Sequence, residues 1–152
     1  MSGPVAPAGA GRLPWVALAS LGLPGGAIGG YLTYVRWTEG TAACYGIGEC
    51  GTVQTSSYSE VAGVPVALMG LLYFVTIASL ALVRLWRGSR ELWWAPAALS
   101  LALAATGFAA YLAYVEVSVL GAICAWCMAM ASLTVVSLGF AAWAAALSRE
   151  PT

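Results

Sequence analysis

Uninterrupted apolar runs dominate the chain, and charges mark their ends. Residues 13–35 carry no charge, nor do 61–83, 92–115 or 117–148. A helix needs about 20 apolar residues to cross the hydrocarbon of a bilayer, whereas the apolar part of a secretory signal peptide covers only about 7–15. The first three runs are therefore of spanning length, and the fourth holds a short turn as well as a helix. The pattern predicts an all-α, integral membrane four-transmembrane-helix bundle with spans at about 13–35, 65–86, 92–115 and 122–147. Segment 36–64 becomes a long loop on one side, 116–121 a short turn on the same side, and 1–12 and 149–152 are tails.

Local signals refine the ends. Ser57 and Glu60 form an S-x-x-E capping box, which places the start of a short half-helix near Ser57. Pro65 suits the first position of a new helix better than the interior of one. The expectation is a short outward helix at about 57–62, a bend at Gly63-Val64, and the second span from Pro65. Pro96 suits the first turn of the third span. Gly25/Gly29 and Gly26/Gly30 are overlapping G-x-x-x-G pairs, a spacing that brings membrane helices into close contact.

Arginine sets the orientation. Arg12, Arg84, Arg87, Arg90 and Arg149 fall on one side and only Arg36 on the other, so both termini are expected in the cytoplasm and the 36–64 loop outside. Trp15, Trp86, Trp93, Trp94 and Trp143 then form an inner aromatic belt, and Tyr34, Trp37, Tyr114 and Trp126 an outer one.

Composition narrows the chemistry. Hydrophobic residues make up 61% of the chain and charged residues 8%, with six basic and six acidic side chains. Lys, Asp, His and Asn are absent. No basic patch for nucleic acid exists, and His triads and His-ligated metals are excluded. Four cysteines remain. Cys44 and Cys50 bracket a glycine-rich stretch of the outward loop, a spacing that suits a small disulfide ring. Cys124-Ala125-Trp126-Cys127 is a C-x-x-C in the first turn of the last span, where the helix dipole and free amides favour a thiolate. Both pairs fall on the expected oxidising face. With no metal or flavin motif, a membrane quinone is the natural acceptor, which makes a relay from soluble dithiol to loop pair, membrane pair and quinone. Two structural disulfides, a four-thiolate zinc site or isolated buried cysteines are the alternatives these residues leave open. Glu49, Glu60 and Glu116 are the acidic residues on the outer face. They are expected to be solvated, with water and the thiols carrying protons, so that Gln at any of them retains more than roughly a tenth of turnover.

These residues resemble a known family. Cys44-x₅-Cys50-x₅-Ser56, then Gly63-Val64-Pro65, Gly70 and Tyr73, then Cys124-x-x-Cys127 on the last span, are similar to the vitamin K epoxide reductase family. The likeness covers about 13–147 and points to a bacterial member without a fused thioredoxin-like domain, in the plasma (inner) membrane. It implies that Cys44 exchanges with a thioredoxin-like (DsbA-like) partner outside the membrane, Cys50 passes electrons to Cys124, and Cys127 reduces the quinone, supporting disulfide formation in secreted proteins. It implies further that Ser56 and Tyr58 belong to the roof of the quinone pocket and that Met69, Leu112, Trp126 and Ala131 line it. Val66 and Ala131 stand where vertebrate members carry Asn and Tyr, so ubiquinone or menaquinone is the expected acceptor rather than an epoxide. The DsbB family also uses two cysteine pairs, but there the C-x-x-C lies in the first outward loop, the reverse of the order here.

Overall fold

The computed structural model describes residues 11–44, 48–88 and 93–149. The expected tails at 1–10 and 150–152, the middle of the Cys44–Cys50 ring at 45–47, and Arg90 lie outside them.

Four long helices form an up-down bundle: α1 (Leu13–Trp37), α3 (Val66–Arg87), α4 (Trp94–Tyr114) and α5 (Ala125–Arg149), with a short α2 (Cys50–Thr55) between the first two. All four long helices have the length and hydropathy of membrane spans. Their outward surfaces carry exposed Leu, Val and Met, as lipid-facing surfaces require. All four cysteines gather at the end where α1 stops and α5 starts.

Span α1 packs closely on α3 because glycines remove the side chains between them. A Cβ on Gly25 would lie 2.3 Å from the Phe74 ring, and one on Gly29 would lie 2.9 Å from the Leu71 amide. Gly26 and Gly30, the second pair of the sequence motif, face open space instead. They lie a quarter-turn round α1, away from α3. Pro24 sits inside α1 without ending it. The opposite end is sealed by Trp15, Leu18, Phe74, Ile77 and Trp94 together with small residues of α4 and α5. Trp15 and Trp94, expected in the inner belt, are thus core residues, whereas Trp86 is exposed. Across the bundle, the Tyr73 hydroxyl hydrogen-bonds Ser137, tying α3 to α5.

The loop between α1 and α3 departs from expectation. No helix starts at Ser57; α2 begins at Cys50, and 57–59 is a single 3₁₀ turn. Ser56 explains the break: it is extended (ψ 158°) and its hydroxyl donates to the Val53 carbonyl at 2.7 Å, closing α2. Its own carbonyl accepts from Ser59 at both N–H (3.0 Å) and Oγ (2.8 Å), which forms the next turn. Glu60 does not cap a helix; it pairs with Arg36 at the end of α1. Both partners are part-exposed, and such pairs contribute about 0–1 kcal/mol, so the contact orients the loop more than it stabilises it. A two-residue hairpin follows, β1 (Glu60–Val61) with β2 (Val64–Pro65). Its turn residues Ala62 and Gly63 both have positive φ, as a tight hairpin turn demands. Pro65 ends the hairpin and precedes α3 rather than occupying its first position.

The third span is also longer than expected. After Tyr114 the backbone widens into a π turn, Val115–Leu120, and ends at Gly121 in the left-handed conformation. The connection to α5 is only 121–124, and the expected turn at 116–121 is mostly helix.

Candidate redox site

The C-x-x-C is built by helix capping. Cys124 is the last residue before α5 rather than a member of its first turn. Its carbonyl accepts the Met128 N–H at 3.0 Å, and its Sγ accepts the Cys127 N–H at 3.3 Å. Free amides of a first helical turn favour negative charge, and here one is directed at sulfur. The Cys127 thiol donates to the Cys124 sulfur at 2.8 Å. That hydrogen bond holds the Cys124 thiol below the ordinary thiol range, against the opposing effect of burial. Both cysteines are free thiols.

The second pair is docked against the first. Cys44 and Cys50 are disulfide-bonded, with Cα atoms 6.2 Å apart. Gly48 forms an antiparallel bridge to Cys124, and the Glu49 N–H donates to the Ile123 carbonyl at 2.9 Å. Only glycine fits at 48: φ is +84°, and a Cβ would lie 2.2 Å from the Ile123 oxygen. Cys50, Val53, Ala122 and Cys124 form one buried cluster, with Cys44 and Cys127 packed against it. Cys50 and Cys124 are buried, while Cys44 is half-buried.

Ala43, just before the ring, is clamped from both sides. Its N–H donates to the Tyr31 hydroxyl (3.1 Å), and its carbonyl accepts from Trp126 Nε1 (3.0 Å). The two rings pack with centroids 5.6 Å apart. Trp126 was expected to line the quinone pocket. Trp126 is not part of the cavity wall: residue 126 lies about 100° round α5 from Cys127, and its indole holds the cysteine loop and Tyr31 instead.

Beneath the cluster a cavity of about 560 Å³ opens between α3, α4 and α5, roofed by α2 and the 3₁₀ turn. Small-molecule sites occupy about 300–1,000 Å³, so the space suits a ring of benzoquinone size with part of a tail. Ser56, Tyr58, Met69, Leu112 and Ala131 line it, as does Cys127, the only one of the four cysteines to do so. The wall is largely apolar. Val66 and Ala131 both face it and offer no hydrogen bond.

Two wall residues carry chemistry that the sequence did not single out in this role. Gln54, one helical turn after Cys50, has a buried amide nitrogen with no hydrogen-bond partner among the described residues. Glu116, expected to be solvated in an outer turn, is 4% exposed. Its carboxylate accepts the Cys124 N–H at 3.2 Å and lines the cavity together with Cys127. An unpaired buried carboxylate costs several kcal/mol; the Cys124 N–H offsets part of that penalty. The signal that could have found it was its closeness in sequence to the C-x-x-C, eight residues before Cys124. Glu49 and Glu60 do stay at the surface, near Thr52 and Arg36.

The arrangement can move electrons by thiol–disulfide exchange from the reachable Cys44, through buried Cys50 and Cys124, to a sulfur facing an apolar cavity. Matched against known protein families, residues 16–142 fit the vitamin K epoxide reductase family, a stretch that takes in all four cysteines and every cavity-lining residue.

Proposed function

As the chain belongs to the vitamin K epoxide reductase family, which makes it a membrane thiol–disulfide oxidoreductase, we propose that it oxidises a thioredoxin-like dithiol partner and passes the electrons to a membrane quinone. The observation that carries this reading is the placement of the four sulfurs: one cluster, with Cys44 reachable from outside and Cys127 alone on the cavity wall.

The steps balance as follows. A partner thiolate attacks Cys44, breaking the Cys44–Cys50 bond and releasing the Cys50 thiolate. The partner's second thiol resolves the mixed disulfide, leaving the partner oxidised and Cys44 reduced. Cys50 attacks Cys124 of an oxidised C-x-x-C, and Cys44 then closes the loop disulfide, so two electrons and two protons move to Cys124 and Cys127. The redox state of the structure, with the loop pair oxidised and the C-x-x-C reduced, is the state that follows this transfer. Re-forming the Cys124–Cys127 bond gives both electrons to the quinone, whose two carbonyls become two hydroxyls.

Cys124 is suited to receive attack and to leave, since its thiolate is stabilised by the Cys127 hydrogen bond and the helix amide. Ser56 supports the roof through its two turn contacts, and Tyr58 extends over the cavity. Met69, Leu112 and Ala131 offer an apolar wall to a quinone ring. With no polar group from Val66 or Ala131, ubiquinone or menaquinone suits the site better than an epoxide. The arginine distribution favours a cysteine end on the outer face of a bacterial plasma membrane, with both termini inside.

The test is quinone reduction by the purified protein in lipid nanodiscs, with dithiothreitol or a reduced thioredoxin-like protein as donor and short-chain ubiquinone or menaquinone as acceptor. Turnover that requires Cys127 supports the reading. Absence of turnover with every quinone tried refutes it.

A further inference from the structure

Reduction of a quinone needs two protons delivered into a largely apolar cavity, and the cavity wall carries one carboxylate. Glu116 is the only carboxylate among the described residues lining the cavity. The Tyr58 hydroxyl apart, the other polar wall groups are committed or unsuited. Arg36 is paired with Glu60, the Tyr73 hydroxyl with Ser137, and the Ser56 hydroxyl donates to Val53, while Gln54 does not titrate. The π turn after α4 sets Glu116 beside the C-x-x-C, where its carboxylate accepts the Cys124 N–H and shares the cavity wall with Cys127. The Cys127 thiol donates its one proton to the Cys124 sulfur, and the Glu116 carboxylate is held against the same pair through the Cys124 N–H. As Cys124 leaves its hydrogen bond to form the disulfide, the carboxylate is the acceptor that remains.

We propose that Glu116 is the proton carrier of the C-x-x-C pair, taking the proton of the Cys127 thiol and delivering it to the quinone oxygen in the cavity. The inference rests on the quinone reading above. When Cys124 and Cys127 are oxidised, the S–S bond forms, two electrons go to the quinone, and two protons leave the thiols. Glu116 accepts the Cys127 proton, hands it to one reduced oxygen, and returns to the carboxylate. The proton from Cys124 goes to solvent on the cysteine side, and solvent returns one proton to the second quinone oxygen.

Glu116→Gln separates this role from a structural one. The amide oxygen of Gln still accepts the Cys124 N–H, so the turn is kept, but the side chain no longer takes a proton. With dithiothreitol and ubiquinone-1 in nanodiscs, Glu116→Gln is expected to lower kcat at least roughly 100-fold, the low end for loss of a general acid–base group, with the quinone KM within about threefold. Glu116→Asp, which retains a carboxylate on a shorter arm, is expected to keep more turnover than Gln. Wild-type protein that reduces no quinone overturns this inference and the functional reading together. Wild-type turnover with Glu116→Gln within tenfold overturns this inference alone. If Glu116→Gln does not fold, as read by thermal melting, Glu116→Asp decides: a folded Asp variant with unchanged kcat or with a raised KM alone overturns the role, and a lowered kcat at constant KM supports it.

Discussion

Replacing Gly48 by Ala perturbs one contact from which the relay geometry follows. At φ +84° an alanine costs about 1–2 kcal/mol relative to glycine. Its Cβ, 2.2 Å from the Ile123 oxygen, also forces that carbonyl away. The same oxygen accepts the Glu49 N–H at 2.9 Å, and losing that bond adds about 1 kcal/mol. Together these shift the balance between docked and undocked loop by about 2–3 kcal/mol, roughly 30- to 150-fold. Two assays read the shift. Hydrogen exchange at the Glu49 amide is expected to speed up by that factor. Turnover with a protein dithiol, which in the proposed relay enters through Cys44 and crosses from Cys50 to Cys124, is expected to fall. Turnover with high dithiothreitol falls less, because a small thiol reaches the uncovered C-x-x-C directly. Unchanged protection at Glu49 with protein-driven turnover within twofold would refute the claim that this docking holds the two pairs together.

Three further expectations follow from the same geometry. Cys127→Ala is expected to abolish quinone reduction with every donor, whereas Cys44→Ala loses the protein donor and keeps activity with dithiothreitol; equal losses in both would show that the sulfurs are assigned wrongly. Gln54→Leu removes the unpaired amide from the cavity wall, and the loss of one neutral hydrogen bond, about 1 kcal/mol, raises the quinone KM roughly fivefold, so an unchanged KM means that Gln54 does not meet the ring. Gly25→Leu drives a side chain into Phe74, an overpacking worth about 1–3 kcal/mol or more, and lowers the melting temperature in detergent, while Gly26→Leu, facing open space, leaves it unchanged; similar melting of the two would remove the glycine seam as the basis of the α1–α3 contact.

The membrane spans were legible because charge cannot be placed in hydrocarbon, and the arginines and glutamates therefore punctuate the chain. The cysteine pairs were legible as chemistry because nothing else in the composition could carry it. The loop was not. Ser57 and Glu60 had the spacing of a helix cap, but Glu60 paired with Arg36 at the end of α1, and Ser56 ended a helix that had begun at Cys50. A covalent ring and a bridge to Cys124 set that helix, and neither is a local signal. Trp126 and Glu116 exchanged the roles expected of them for a related reason. An indole on the last span reads as a pocket wall and a carboxylate near a span end reads as solvated, until Cys124 preceding α5 and the π turn of α4 decide which way each faces.

The clamp on Ala43 has a kinetic consequence. Ala43 is held by Tyr31 and Trp126, and Glu49 by Ile123, so both feet of the cysteine ring are fixed to the spans. In the proposed relay, when a partner opens the Cys44–Cys50 bond, the freed Cys50 sulfur has nowhere to diffuse. Its encounter with Cys124 is governed by an effective concentration, of order millimolar or above for a short tether, and not by how much thiol the surroundings contain. Transfer between the pairs then proceeds at the same rate in a dilute membrane and a crowded one, and external thiols compete for the C-x-x-C only when they exceed that local value.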